Sequence, residues 1–393
     1  MYSSQFWLLC ISNFLFCSSF QMMIPELPDY LSNMGGKQYL GLIIALFTFT
    51  AGFSRPFSGK ITDTIGRVPV MAFGSLVCFL CGFAYPFLTT VYGFLFLRFI
   101  HGFSTGTKPT ATAAYVVDII PAERRGEAVG TLGIFTATGM SFGPTIGSFI
   151  ANNFGMNPMF YTSSVFALLS ILILVQMKET LPNKKKFSFK LLKLSKNEIF
   201  EKAVFPPFLV NLLLCFSAGA VITLAPDLSK SLGIPNKGLF FTVYTIASLL
   251  IRLLASKTSD KYGRVPVLMA SSMILVVAMV VLALANTPFL FFTAAILFGL
   301  PYGMGSPTIT AWTADLSNEN NRGKAMATMY IALEAGIGIG AYFSGWIYQG
   351  DISKMVWAFY LSAILAMAAV IYMWFYWKKS LKSLVNVDRQ LSN

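Results

Sequence analysis

Three stretches, Pro158–Met177, Leu268–Asn286 and Met355–Trp377, carry no charged side chain. Each is close to the ~20 apolar residues with which a helix spans a bilayer. They lie in a chain of 393 residues that is 55% apolar and 11% charged, against roughly 25% charged in a soluble domain. Only helices and closed barrels satisfy their backbones in lipid, and the alternation of a barrel strand is absent. The expected fold is therefore an all-α membrane protein. Twelve transmembrane helices are expected. Six centre near Ser12, Phe47, Val77, Gly102, Ala137 and Val165, and six near Cys215, Ile246, Val276, Ala295, Glu334 and Ile364.

The chain repeats itself. Arg55, Asp63, Gly66 and Arg67 recur 197 residues later as Arg252, Asp260, Gly263 and Arg264. The same shift carries Asp118 onto Asp315, Arg125 onto Arg322, Gly126 onto Gly323 and Ala128 onto Ala325. One offset spanning two polar loops marks a duplicated half. The halves are expected at 1–177 and 203–393, joined by the polar segment Lys178–Lys202. Phe187, Phe189 and Leu191 among its lysines suit either a helix lying on the membrane surface or a solvated tether.

The net charge of +13 is a topology signal. Of the 29 Lys and Arg, 21 lie in alternate loops and the tail, among them Lys60, Arg67, Arg124, Lys184, Lys261, Arg264 and Lys378; the opposite loops hold Lys37, Lys230, Lys237 and Lys354. By the positive-inside rule both termini are expected in the cytoplasm, with the protein in the inner (cell) membrane. The basic excess then faces anionic lipid, and nucleic acid is not an expected partner. The five cysteines (Cys10, Cys17, Cys78, Cys81, Cys215) fall in apolar spans and read as small buried side chains. The first span follows Met1 closely, so no signal peptide is expected.

Polar residues within the spans mark a site, because charge in the bilayer core costs at least ~3 kcal/mol. The candidates are Glu26, Arg98, His101, Lys108 and Glu334. Arg98, His101, Thr105, Lys108 and Thr112 share one helical face, an arc of about 80° at 100° per residue, which suits a water-filled cavity. Glu26 lies level with Arg98, and Glu334 with Lys108. His101 is the single histidine and has the reference pKa for proton exchange. Asp29 and Asp227 read as solvated helix ends. Arg55 and Arg252 read as cations that snorkel to the surface.

The loop Gly59, Asp63, Gly66, Arg67 has the form G-x-x-x-D-x-x-G-R. With twelve spans and a duplicated half, the chain resembles the major facilitator superfamily over essentially its whole length. Arg98-Phe-Ile-His101-Gly102 is similar to that family's R-x-x-x-G stretch. Gly130, Gly139, Gly143, Pro144 and Gly147 resemble the signature of its drug–proton antiporters, with Ser148 where a last glycine is usual. Pro25-Glu26-Leu27-Pro28 is similar to the P-x-L-P of the same exporters. Ser256 departs from the glycine position of the second loop.

The resemblance implies two six-helix bundles that rock around a midplane site. It implies a cytoplasmic gate built on Gly59, Asp63, Gly66, Arg67 and Asp118, with Asp260, Gly263, Arg264 and Asp315 as its counterpart. Gly59 would admit a close neighbouring helix, Asp63 would face a helix N-terminus, and Arg67 is placed to bridge to Asp118. Gly139 and Gly143 form a small-residue packing face, repeated as Gly336 and Gly340; Pro144 has Ala341 as its counterpart. Glu26 and Glu334 would carry protons, Arg98 would tune them, and the fifth span would restrict leakage. The expected function is proton-coupled export of small amphipathic molecules by a monomer without cofactors. Import or symport of a small metabolite on the same fold is the alternative. An intramembrane enzyme would need clustered nucleophiles, bases or metal ligands, which the sequence lacks.

Overall fold

The computed structural model describes residues 2–121, 124–182, 187–188, 200–254, 258–317 and 322–391. Among them the regular structure is helical. In chain order the helices are α1 (Ser4–Met23), α2 (Leu27–Asn33), α3 (Leu42–Ile65), α4 (Arg67–Ala84), α5 (Val91–Ile119), α6 (Arg125–Phe154) and α7 (Met156–Val175). There follow α8 (Phe205–Ser231), α9 (Leu239–Leu254), the short α10 (Thr258–Tyr262), α11 (Arg264–Ala283), α12 (Pro288–Leu316), α13 (Arg322–Tyr348) and α14 (Met355–Leu391). All twelve expected span centres fall in separate long helices. Nine helical stretches of the described residues are long and apolar enough to cross a membrane. Helices α5 and α6 are as long but richer in polar residues, and α9 is a shorter apolar helix. This is a multi-pass membrane protein, and large side chains such as Phe49, Phe96 and Phe289 stand exposed on its outside as they do in lipid.

The helix ends follow from local chemistry. Thr90 caps α5 by accepting from Gly93 N at 3.2 Å, and Thr287, 197 residues on, caps α12 by accepting from Leu290 N at 3.3 Å. Gly66 breaks α3 from α4 at φ +134°, and Gly263 precedes α11 at φ +89°, both in the region that disfavours a Cβ.

Helices α1 to α7 pack together, and so do α8 to α14. The sets meet chiefly where α3 lies against α13 and α6 against α9, with smaller contacts of α2 and α3 on α8. One end of the bundle carries the loops rich in Lys and Arg (the basic end); the other is the far end. The expected surface helix of the linker, and Ser256, lie outside the described residues.

Candidate functional site

An ion pair links the two sets midway along their helices. Arg55 on α3 donates to Glu334 Oε1 on α13 through Nη2 at 2.5 Å and Nε at 3.2 Å. Both side chains are nearly buried, at 13% and 9% exposure. The Arg55 guanidinium also lies 4.7 Å over the ring of Tyr330, one turn from Glu334. Gly52, one turn above Arg55, leaves the α3 backbone close to Glu334: a Cβ there would sit 3.1 Å from Glu334 Cβ. Beside Tyr330, a 120 Å³ cavity opens between α8, α11, α12 and α13, lined by Asn211, Ser271, Ser272 and Tyr302 among others.

A second charged cluster closes the far end. Lys237, just before α9, reaches Glu26 Oε2 and Asp29 Oδ2, both at 2.8 Å, and Lys230 reaches Asp29 at 3.0 Å. Ser148 on α6 donates to Glu26 Oε1 at 2.6 Å. Burial alone would lower the pKa of Lys237, but the Glu26 and Asp29 carboxylates outweigh it and hold it above the ordinary lysine value. Alongside, Gly238 packs directly on the Pro144–Thr145 backbone, Asn236 donates to Thr145 O at 3.0 Å, and Thr242 donates to Ser141 O at 3.0 Å. The turn around Pro144 is therefore a contact between the two sets. A 420 Å³ vestibule lined by Glu26, Asp29, Lys230 and Lys237 lies outside this closure.

Two expected pairings are not made. Glu26 turns to Lys237 rather than Arg98, and Glu334 to Arg55 rather than Lys108. The polar face of α5 packs inside the first set instead of lining an open cavity. Arg98 is spent on Ile43 O at 2.9 Å and Tyr85 Oη at 3.4 Å, with its guanidinium 4.5 Å over Phe47. His101 sits between Tyr85 Oη at 3.2 Å and Cys78 Sγ at 3.3 Å, fully buried. Lys108 donates to Ser12 O at 3.0 Å and Ser170 Oγ at 2.5 Å. For Lys108 the reason is the composition of the neighbours: small hydroxyls on α1 and α7 supply acceptors without bulk, so the ammonium packs inside the first set. Two residues that matter were not singled out as sites. Arg55 was expected at the surface, and Lys237 counted as one of the far-end loop lysines. The signal for Arg55 was available, since it is among four cations, with Arg98, Lys108 and Arg252, that belong to no loop or tail. Asp29, expected to be solvated, takes part in the far-end cluster.

At the basic end the two halves repeat one construction. Arg67 Nε meets Asp118 Oδ2 at 2.9 Å, and Arg264 Nε meets Asp315 Oδ2 at 2.9 Å. Arg67 also pairs with Asp63 at 3.3 Å, and Arg264 with Asp260. Each bridge stays within its own set. Asp63 is 71% exposed. A Cβ at Gly59 or Gly130 would meet nothing within 4 Å, so neither glycine serves close packing in this conformation. The described ion pairs and hydrogen bonds between the sets run from Arg55–Glu334 to the far end.

Gly139, Gly143 and Gly147 of α6 do pack closely. A Cβ at Gly139 would lie 2.6 Å from Phe14 O, and one at Gly143 2.7 Å from Ser18 O; Gly147 meets Met22 O. Gly336 and Gly340 meet Leu212 O and Phe216 O of α8 in the same way. The small-residue face thus seats α1 on α6 and α8 on α13.

Comparison with known proteins agrees with this architecture. A family model described as Major Facilitator Superfamily matches residues 9–235 and 207–391. The multi-drug resistance efflux pump PmrA of Streptococcus pneumoniae is 28% identical over 318 residues, 76% of this chain and 78% of that protein. The multidrug resistance protein MdtG of a Rahnella species is 28% identical over 305 residues, 72% of this chain and 71% of that one. The crystal structure of the nucleoside transporter NupG superposes with a TM-score of 0.76 at 15% identity, covering 95% of this chain and 99% of that one; at that identity the likeness is one of fold.

Proposed function

We propose that this chain, which belongs to the Major Facilitator Superfamily, exports small amphipathic molecules in exchange for protons by alternating access. It is a transport protein rather than an enzyme. In this reading it sits as a monomer in the cell (inner) membrane, with the basic end and both termini in the cytoplasm. The bundles would be residues 1–177 and 203–393. The conformation described is then open to the cytoplasm, with the far-end lysine–carboxylate cluster as its outer lock.

The observation that carries the reading is the Arg55–Glu334 pair. It is the ion pair that bridges the two bundles at mid-depth. A carboxylate there is stabilised by its cation while the pair is intact, and binds a proton readily once the cation withdraws. Protonation of Glu334 would release Arg55 and free α3 to move against α13; deprotonation would restore the pair. The relative named as an efflux pump supports the outward direction. Glu26 belongs to the outer lock in this scheme, and Arg98, His101 and Lys108 keep the first bundle rigid.

The test is transport in inverted vesicles under an imposed pH gradient, against a panel of amphipathic dyes, sugars and organic acids. Gradient-dependent uptake of at least one amphipathic compound is expected. Uptake that ignores the gradient, or is restricted to sugars, overturns the proposal.

A further inference from the structure

The repeat places a second arginine where Arg55 stands, but takes its partners away. The shift of 197 residues that relates Arg55 to Arg252 relates Tyr330 to Gly133 and Glu334 to Ala137. Arg252 on α9 faces α6 as Arg55 on α3 faces α13. A Cβ at Gly133 would lie 3.7 Å from Arg252 Nη1, so Arg252 approaches the position that corresponds to Tyr330. Beside Arg55 a ring and a carboxylate fill the space, and Nε donates to Glu334. At the corresponding positions of α6 stand Gly133, near Arg252, and Ala137 one turn on. Nε of Arg252 is buried and has no hydrogen-bond partner among the described residues. The side chain is half-buried, its Nε donor is left unpaired, and no carboxylate pairs with it among the described residues; an unpaired buried donor is costly, and the guanidinium fork is shaped for a carboxylate.

We propose that Arg252, Gly133 and Ala137 form a subsite for an organic acid: a carboxylate on the guanidinium and a ring-sized apolar body over Gly133 and Ala137. The ligand supplies from outside what Tyr330 and Glu334 supply to Arg55 from within. This rests on the export reading and adds to it the charge and shape of the transported molecule. It also explains why the two halves differ here while their basic-end bridges are alike: one side holds the coupling pair, and the other is left vacant for cargo.

The experiment compares 1-pyrenebutyrate with its uncharged amide, 1-pyrenebutyramide, by fluorescence titration of the purified full chain in detergent. The unaltered protein is expected to favour the acid by roughly tenfold or more, the scale of one charge-assisted hydrogen-bonded contact. Arg252→Gln should erase the preference and leave amide binding unchanged, whereas Arg252→Lys should keep part of it. Ala137→Glu places a carboxylate opposite Arg252, as Glu334 stands opposite Arg55, and should exclude the acid while the protein stays folded by thermal melting. Equal binding of acid and amide by the unaltered protein overturns the subsite. So does a preference that survives both Arg252→Gln and Ala137→Glu. Transport in inverted vesicles separates the two ideas: an Arg252-dependent preference without gradient-driven uptake refutes export and keeps the subsite, and gradient-driven uptake without the preference does the reverse.

Discussion

Lys237 holds Glu26 across the two bundles at 2.8 Å, with side chains only 7% and 4% exposed. The lysine precedes α9 in the second bundle and the glutamate precedes α2 in the first, so the pair is a direct measure of far-end closure. Ser148 on α6 fixes the other carboxylate oxygen, which gives a role to the serine that stands where related exporters place a glycine.

Removing one partner of such a pair leaves a buried charge, at a cost of about 3–5 kcal/mol to the closed state. Lys237→Met should therefore open the far end, and the double change Lys237→Met with Glu26→Met should restore much of the closure. Spin labels on cysteines placed at Gln38 and Asn286, both exposed at the far end, read this as a longer distance in the single variant and recovery in the double. The five native cysteines are buried and should stay unlabelled. The pKa of Lys237 is raised above the ordinary lysine value in the folded protein, so its contribution is present at neutral pH and is lost only as pH rises through that raised value. Alkaline titration should lengthen the same distance. An unchanged distance in Lys237→Met would remove the lock.

The α1–α6 seam makes a second prediction. Any Cβ at Gly143 falls 2.7 Å from Ser18 O, a contact that backbone cannot yield. Gly143→Leu should cost at least about 1–3 kcal/mol through overpacking and lower the yield of folded protein. Gly130→Leu, in open space, should leave it unchanged. Thermal melting of the purified variants checks the contrast.

Much of this was readable in the chain. Span number and placement follow from apolar runs, because lipid allows backbone little freedom. The shift of 197 residues correctly related Arg67–Asp118 to Arg264–Asp315, since a duplicated loop keeps its own partners. Depth along a helix misled the pairing. Glu334 and Lys108 lie at similar depth, yet depth says nothing of which way each helix is rotated. Lys108 turns to serines inside its bundle, and Glu334 turns across to Arg55. From the sequence Arg55 reads as a snorkelling cation, because its partner lies 279 residues away, a separation no local pattern reports. Lys237 was hidden among loop lysines, where burial cannot be read from sequence.

The basic-end bridges make a third prediction. Asp118 and Asp315 are 28% and 53% exposed, and pairs of that kind contribute ~0–1 kcal/mol. Asp118→Asn and Asp315→Asn should melt within a few degrees of the unaltered protein. Asp63→Asn should also fold normally, because Asp63 is largely solvated in this conformation. Its transport should nevertheless fall sharply. In the proposed cycle the basic end closes, and Asp63 then meets a helix N-terminus, a contact worth ~0.3–1 kcal/mol and more if partly buried. Normal transport by Asp63→Asn at normal expression would show that closure does not use it.

The last prediction concerns coupling. Glu334→Gln keeps the shape of the side chain and a hydrogen-bond acceptor for Arg55, but cannot exchange a proton. It also leaves Arg55 without its counter-charge at mid-depth, where the pair is 13% and 9% exposed. Uncompensated burial of that guanidinium should loosen α3 from α13 and favour the state in which Arg55 reaches water. Transport driven by a pH gradient should then be abolished. Downhill exchange of a preloaded substrate, which needs no proton, should remain measurable. Arg55→Gln is the complementary change: it removes the cation that holds Glu334 across α3 and α13, so gradient-driven transport should fall here as well. Both measurements use the same inverted vesicles. Accumulation against a gradient by Glu334→Gln, with the pH profile of the unaltered protein, would remove this pair from the coupling step.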